Sequence, residues 1–114
     1  LCLTSLVQAQ EQRRPPQEVW NEVYTRRQGR PFPHNQFLAE RIQGRKPGKA
    51  LDIGLGEGRN ALFLAAQGWE VTGFDISDVG VTLAREAAQQ RGLKLEATTA
   101  SSVGTWLWGC TCTL

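Results

Sequence analysis

The sequence contains few of the residues from which disulfide frameworks, metal centres and nucleic-acid surfaces are built. It has three cysteines, one histidine, one tyrosine and no methionine. Three cysteines do not make a disulfide framework, and Cys110 with Cys112 lacks the further ligands of a closed zinc site. A net charge of +2 over 114 residues is too small to indicate nucleic-acid binding. We therefore expect no metal and no nucleic-acid partner.

A hydrophobic run long enough to span a membrane is also missing. The apolar residues 1–7 are too few for that purpose, so we expect no membrane span. Residues 7–9, Val-Gln-Ala, resemble a signal-peptide cleavage site. If residues 1–9 are the remnant of such a peptide, the protein is exported; otherwise it is cytoplasmic, with a disordered leader. Residue 1 is Leu, so we expect the natural start to lie upstream.

A glycine-rich motif is the most informative feature that is present. Residues 50–60 read ALDIGLGEGRN, which predicts a buried strand, a glycine loop and the start of a helix. Glycines permit positive φ and close approach of the backbone to a ligand, and a helix N-terminus favours carboxylate or phosphate. Asp75 ends a second apolar run, about 20 residues on, where an acid suits the hydroxyls of a ribose. The pattern predicts an adenosine-containing ligand.

The glycine spacing distinguishes between such ligands. Gly58 comes one residue too early for the dinucleotide fingerprint, and Asp52 precedes the first glycine by two residues. Asp-x-Gly-x-Gly-x-Gly resembles motif I of class I S-adenosylmethionine-dependent methyltransferases. Residues 51–61 resemble the LDxGxGxGRNA form of small bacterial methyltransferases of the tellurite-resistance type. Residues 74–77 resemble their second motif and residues 19–24 their N-terminal cap helix, so the resemblance covers roughly residues 17–98.

The resemblance implies a Rossmann-like three-layer α/β/α fold with N-terminal cap helices. Its sheet would be partial and parallel, with strand order 3-2-1. The implied cofactor is S-adenosylmethionine, which the glycine backbones would line along its methionine and ribose. Asp75 would accept the ribose hydroxyls and Ile76 would touch the adenine. The residues expected to bind the cofactor are Asp52, Gly54, Leu55, Gly56, Gly58, Asn60, Asp75 and Ile76.

Several of these roles have a structural alternative. Asp52 orients the loop and the cofactor's ammonium group, or it is an acid that caps the loop. Asp75 could likewise be only a helix-capping or turn acid. Asn60 caps or holds the loop, and Arg59 is either functional or simply solvated. The family's acid after the third strand is replaced here by Ala-Ser-Ser at residues 100–102, which puts the contact with the adenine amino group in doubt.

No catalytic residue can be named from the sequence. His34 lies in a proline-rich loop and is expected to be structural rather than substrate-binding. Trp20 and Tyr24, four residues apart, either belong to the core or close over the cofactor.

The periodicity predicts the elements themselves. We expect strands over 50–53, 70–74 and 93–98, and helices over 18–27, 35–43, 58–67 and 77–91, with residues 13–17 as a linker. In the order 3-2-1 the first strand is an exposed edge, which allows self-association.

We therefore expect three parts: a leader and linker (1–16), a cofactor-binding half-domain (17–100), and an aberrant tail (101–114). The tail has no charged residue, which suggests a frameshift or truncation. The expected function is the cofactor-binding portion of a methyltransferase that modifies a small-molecule nucleophile, inactive as this fragment. The first alternative is a non-catalytic adenosine- or nucleotide-binding module. The second alternative is an NAD(P)-dependent oxidoreductase.

Overall fold

The structure is a computed structural model that describes residues 13–100. The signal-peptide-like segment and residues 101–114 lie outside this range. No helix of the described part is long and apolar enough to cross a bilayer. In chain order the elements are α1 (Pro16–Arg27), α2 (Gln36–Ile42), β1 (Lys49–Ile53), α3 (Arg59–Ala66), β2 (Glu70–Asp75), α4 (Asp78–Gln90) and β3 (Leu95–Thr99).

The three strands form a parallel sheet in the order β1-β2-β3. This is the predicted order 3-2-1, counted from the opposite edge. Ile53 of β1 lies opposite Phe74 of β2, which lies opposite Thr98 of β3. The partial Rossmann-like α/β fold is therefore confirmed, and the carboxyl ends of β1 and β2 lie side by side.

In the described part, the helices that follow β1 and β2 cover the same face of the sheet. Val71 and Ala97 on the strands pack in one cluster with Ala61 of α3 and Val81 of α4. The opposite face of β1 is open: Leu51 and Ile53 are 60% and 63% exposed. Residues 13–100 thus show one helical layer and the sheet, and a third layer would cover the face that carries Leu51 and Ile53.

The N-terminal helix is held against the start of α4. The Asn21 side chain donates to Asp78 Oδ1 at 2.7 Å and accepts from the Ser77 hydroxyl at 2.6 Å. Ser77 also caps α4, because its Oγ accepts from the Gly80 backbone N–H at 3.0 Å. This arrangement places one face of α1 beside the loop that follows β1.

Several predicted boundaries differ from the structure by one or two residues, and two of these differences have a clear physical reason. Pro16 was expected in the linker but is the first residue of α1. A proline is well suited to that position, because the first helical N–H has no partner inside the helix. The last strand begins at Leu95 and not at residue 93. Leu93 still belongs to the turn after α4, since its N–H donates to the Ala88 carbonyl at 2.8 Å.

Candidate functional site

The glycine loop between β1 and α3 has the backbone conformation that its sequence predicts. Gly54, Gly56 and Gly58 have φ values of 75°, 56° and 84°, a region that costs other residues about 1–2 kcal/mol each. The N–H groups of Gly54 and Leu55 both donate to the Phe74 carbonyl, at 2.9 and 3.1 Å. The loop is thereby fixed against the end of β2.

Asp75 lies at the point where the glycine loop meets the start of α4. Its side chain is buried, with the residue 8% exposed. Oδ2 accepts from the Gly56 N–H at 2.9 Å, and Oδ1 accepts from the Ser77 N–H at 2.8 Å. The structure therefore brings Asp75 to the glycine loop and gives it the hydrogen bonds of a turn acid, which was part of the alternative, while Ser77 caps α4. Each carboxylate oxygen has further acceptor capacity, so the ribose contact stays a prediction.

Asp52 lies half-buried near the end of β1, beside the first turn of α3. Burial raises the pKa of its carboxyl group. A backbone hydrogen bond from Ala61 and the charge of Arg59 act against that rise, whereas the charge of Asp75 adds to it. Asp52 thus contacts the helix that follows the loop, as a capping acid would, and shares its surroundings with a cation. Its contact with an ammonium group stays a prediction.

Two polar side chains of the glycine motif bind a segment that the sequence did not connect with it. Residues 28–35, here called the strap, join α1 to α2. The Phe32 N–H donates to Glu57 Oε1 at 2.6 Å, and the Asn35 N–H donates to Asn60 Oδ1 at 2.8 Å. Asn60 therefore holds the strap, and Glu57 is a site residue that the sequence analysis missed.

Three aromatic side chains cover the glycine loop from the side of α1 and the strap. Trp20 and Tyr24 stack with ring centroids 5.9 Å apart, and Phe32 follows on the strap. Tyr24 is only 8% exposed, whereas Trp20 is 47% exposed. Burial, followed by the charges of Asp75 and Glu57, raises the pKa of Tyr24, so its phenol stays neutral. The tyrosine belongs to the core and also closes over the loop.

These aromatic residues and the loop line a cavity of about 280 Å³ that is open to solvent on one side. It is lined by Trp20, Tyr24, Phe32, Gly54, Leu55, Gly56, Glu57 and Arg59. Five of the eight predicted residues are not part of this lining, namely Asp52, Gly58, Asn60, Asp75 and Ile76. Gly58 packs toward Ala84 of α4, and Ile76 is half-buried after the end of β2. The structure therefore brings only some of the predicted residues to one cavity.

His34 lies on the other side of the strap. Its ring stacks on Phe63 of α3 with centroids 4.1 Å apart and an angle of 11° between the planes. Both rings line a second cavity of about 720 Å³ between the strap, α3 and α4. The stacking gives His34 a packing role in the structure.

Comparison with known proteins decides the family. The family described as tellurite resistance protein TehB matches residues 21–104. The chain belongs to the TehB family. The match includes α1 from Asn21 onward, the glycine loop and Asp75. Membership confirms the resemblance to the tellurite-resistance type of S-adenosylmethionine-dependent methyltransferase.

Individual relatives agree with this assignment. The chain is 43% identical over 49 residues to ribosomal RNA small subunit methyltransferase C of Alcanivorax borkumensis, covering 43% of the chain and 15% of that protein. It is 40% identical over 65 residues to 2-heptyl-1-hydroxyquinolin-4(1H)-one methyltransferase of Mycobacteroides abscessus, covering 57% and 28%.

A member of the TehB family itself is similar in sequence and in structure. The probable S-adenosyl-L-methionine-dependent methyltransferase TehB of Haemophilus influenzae is 35% identical over 49 residues, covering 43% of this chain and 17% of that protein. The crystal structure of TehB from that organism superposes with a TM-score of 0.57 at 25% identity, covering 59% and 23%. The chain thus spans less than a third of the length of these relatives.

Proposed function

We propose that the chain binds S-adenosylmethionine against the glycine loop and forms the cofactor-binding part of a methyltransferase that acts on a small-molecule nucleophile. The observation that carries the proposal is the junction of the glycine loop with Asp75. The acid is joined to the loop through the Gly56 N–H at 2.9 Å, so that a ligand on the loop lies next to a carboxylate.

The described residues fit such a cofactor. Gly56 has positive φ, and a Cβ there would come within 2.9 Å of Tyr24 Cζ and closer still to the hydroxyl oxygen. The backbone and the ring therefore approach each other in a way that only glycine permits. The cavity beside them has a polar glycine backbone on one side and aromatic rings on the other.

S-adenosylmethionine, when bound, supplies the electrophilic methyl group. The chain's own residues bind and orient it: the Gly54 and Gly56 backbones hold its amino-acid end, and Asp75 accepts the ribose hydroxyls. Trp20 and Tyr24 exclude water from one side of the cavity. Methyl transfer can proceed largely through proximity and orientation, so these residues do not have to include a proton acceptor.

The class of the methyl acceptor is supported less directly than the identity of the cofactor. One relative is named for a quinolone-type small molecule and another for ribosomal RNA. The small net charge of +2 favours the small molecule, because nucleic-acid binding relies on dense positive charge. We propose that residues 1–114 alone bind cofactor without turning it over, because within residues 13–100 the face of β1 that carries Leu51 and Ile53 is uncovered.

The experiment is a calorimetric titration of the chain with S-adenosylhomocysteine and, separately, with NAD. We expect binding of the sulfur ligand only. Asp75→Ala should weaken that binding by about 1–3 kcal/mol, the scale of lost charge-assisted hydrogen bonds. Glu86→Ala is the matched control, because Glu86 carries the same charge at an exposed position on α4 and does not line the cavity. Tight binding of NAD with no response to the sulfur ligand would contradict the proposal.

A further inference from the structure

The second cavity, between the strap, α3 and α4, has no part in the proposed function. None of the eight residues expected to bind S-adenosylmethionine lines it. Its volume of about 720 Å³ lies within the range of about 300–1,000 Å³ that is usual for small-molecule sites. We infer that this cavity binds a neutral, planar aromatic molecule whose edge carries hydrogen-bonding groups, at a site separate from that of the cofactor.

Aromatic side chains form part of the cavity wall. Phe32, His34 and Phe63 all line it. The rings of His34 and Phe63 are nearly parallel, with centroids 4.1 Å apart, and His34 is exposed, so the stacked pair is open to solvent. Stacked and edge-to-face contacts between rings are favourable beyond the burial of their area. Such a wall favours a flat aromatic ligand over an aliphatic one of the same size.

The four carboxylate and guanidinium groups around the cavity balance one another. Glu57 and Glu86 are negative, whereas Arg59 and Arg91 are positive, and all four line the cavity. Glu57 and Arg59 are already hydrogen-bonded to the backbone of the strap. A charged ligand would be attracted by one pair and repelled by the other, and it would still lose part of its hydration. The cavity therefore favours a neutral ligand.

Three amide side chains can supply the polar contacts. Gln28 follows α1, Gln67 follows α3 and Gln90 ends α4; all three line the cavity and are exposed. An amide has two N–H donors and one carbonyl acceptor. It can therefore bind a neutral ligand edge that itself carries N–H and C=O groups. A flat ring with an amide on its edge matches both the aromatic side chains and these glutamines.

The test compares three probe molecules by NMR titration of the isotope-labelled full chain. Indole-3-carboxamide has a flat ring and a neutral amide, and indole-3-carboxylate has the same ring with a negative charge. Cyclohexanecarboxamide has the amide without a flat ring. We expect indole-3-carboxamide to bind most tightly and to shift the backbone amide signals of His34 and Phe63. Tighter binding of either of the other two probes would overturn the inference.

Competition shows which cavity the probe occupies. Phe32, Glu57 and Arg59 line both cavities, so the two sites are neighbours. We expect indole-3-carboxamide to remain bound when S-adenosylhomocysteine is added. If the sulfur ligand displaces the probe, the probe occupies the cofactor site and the inference is wrong. If the sulfur ligand fails to bind while the probe still shifts the signal of His34, the proposed function fails and this inference stands.

Substitutions test the aromatic wall directly. Phe63→Leu keeps an apolar side chain but removes the ring, and it should weaken binding of indole-3-carboxamide by about two- to ten-fold, the range for one aromatic contact. His34→Leu should have a similar effect, and it replaces the first variant if circular dichroism shows that Phe63→Leu folds poorly. Phe37→Leu is the matched control, because it removes an exposed ring from α2 that lines neither cavity. Full affinity in both Phe63→Leu and His34→Leu would contradict the inference.

Discussion

The contact between Tyr24 and the glycine loop gives a quantitative prediction about stability. Gly54→Ala and Gly56→Ala both place a side chain at positive φ, with φ of 75° and 56°. That backbone strain costs about 1–2 kcal/mol in each variant. A Cβ at Gly54 would meet nothing within 4 Å, whereas one at Gly56 would lie 2.9 Å from Tyr24 Cζ. Overpacking adds about 1–3 kcal/mol, so we expect Gly56→Ala to lose about 2–5 kcal/mol of unfolding free energy and Gly54→Ala only the strain.

The measurement is urea unfolding of each variant, followed by circular dichroism. A double variant identifies the cause: in a Tyr24→Leu background the excess cost of Gly56→Ala over Gly54→Ala should largely vanish, because contacting residues are energetically coupled. Equal losses in the two alanine variants would refute the reasoning, and so would an excess cost that survives the removal of the tyrosine ring.

Three further predictions follow from the same structure. Burial raises the pKa of Asp52, so the charged carboxylate lowers the stability of the fold at a pH above that pKa. This cost disappears as the pH falls through the pKa. Asp52→Asn should therefore raise the free energy of unfolding at neutral pH and lose this advantage below about pH 4, as urea titrations at several pH values would show. Ile53→Lys, on the exposed face of β1, should lower any self-association seen by light scattering, and unchanged scattering would exclude this face as the contact. Glu57→Ala removes the acceptor of the strap and should speed tryptic cleavage after Arg27, where the strap begins, whereas Glu86→Ala, an exposed acid on α4, should not.

The parts of the fold that depend on local patterns could be predicted from the sequence. Alternation of apolar runs with glycine-terminated helical segments predicted three parallel strands, and the structure contains them in the expected order. The cap at Asn35 was also predictable, because an asparagine before a helix accepts from the first N–H groups; its Oδ1 accepts from the Phe37 N–H at 2.9 Å. Positive φ at Gly54, Gly56 and Gly58 follows from the same kind of local rule.

The assembly of the site could not be predicted in this way, because its contacts join segments distant in sequence. Glu57 reads as an ordinary polar residue between two glycines, and only the folded chain shows that it binds the Phe32 N–H, 25 residues earlier. The backbone N–H groups of the strap need hydrogen-bond acceptors, and the periodicity of the sequence does not identify which residues provide them. The same holds for Tyr24, whose spacing from Trp20 fits a core residue and a cover equally well.

The contacts of the strap also give the glycine motif a structural role, in addition to its proposed role in ligand binding. Glu57 and Asn60 bind the strap on one side of the loop, and the Gly56 N–H binds Asp75 on the other. A shift of the strap therefore acts on the same loop that the Gly54 and Leu55 N–H groups hold against β2. The guanidinium of Arg59 also donates to the Pro33 carbonyl of the strap at 3.4 Å, so the start of α3 is connected to the strap as well. Ligand binding at the glycine loop and the position of the strap are thus energetically linked, and tryptic cleavage after Arg27, where the strap begins, should respond to S-adenosylhomocysteine.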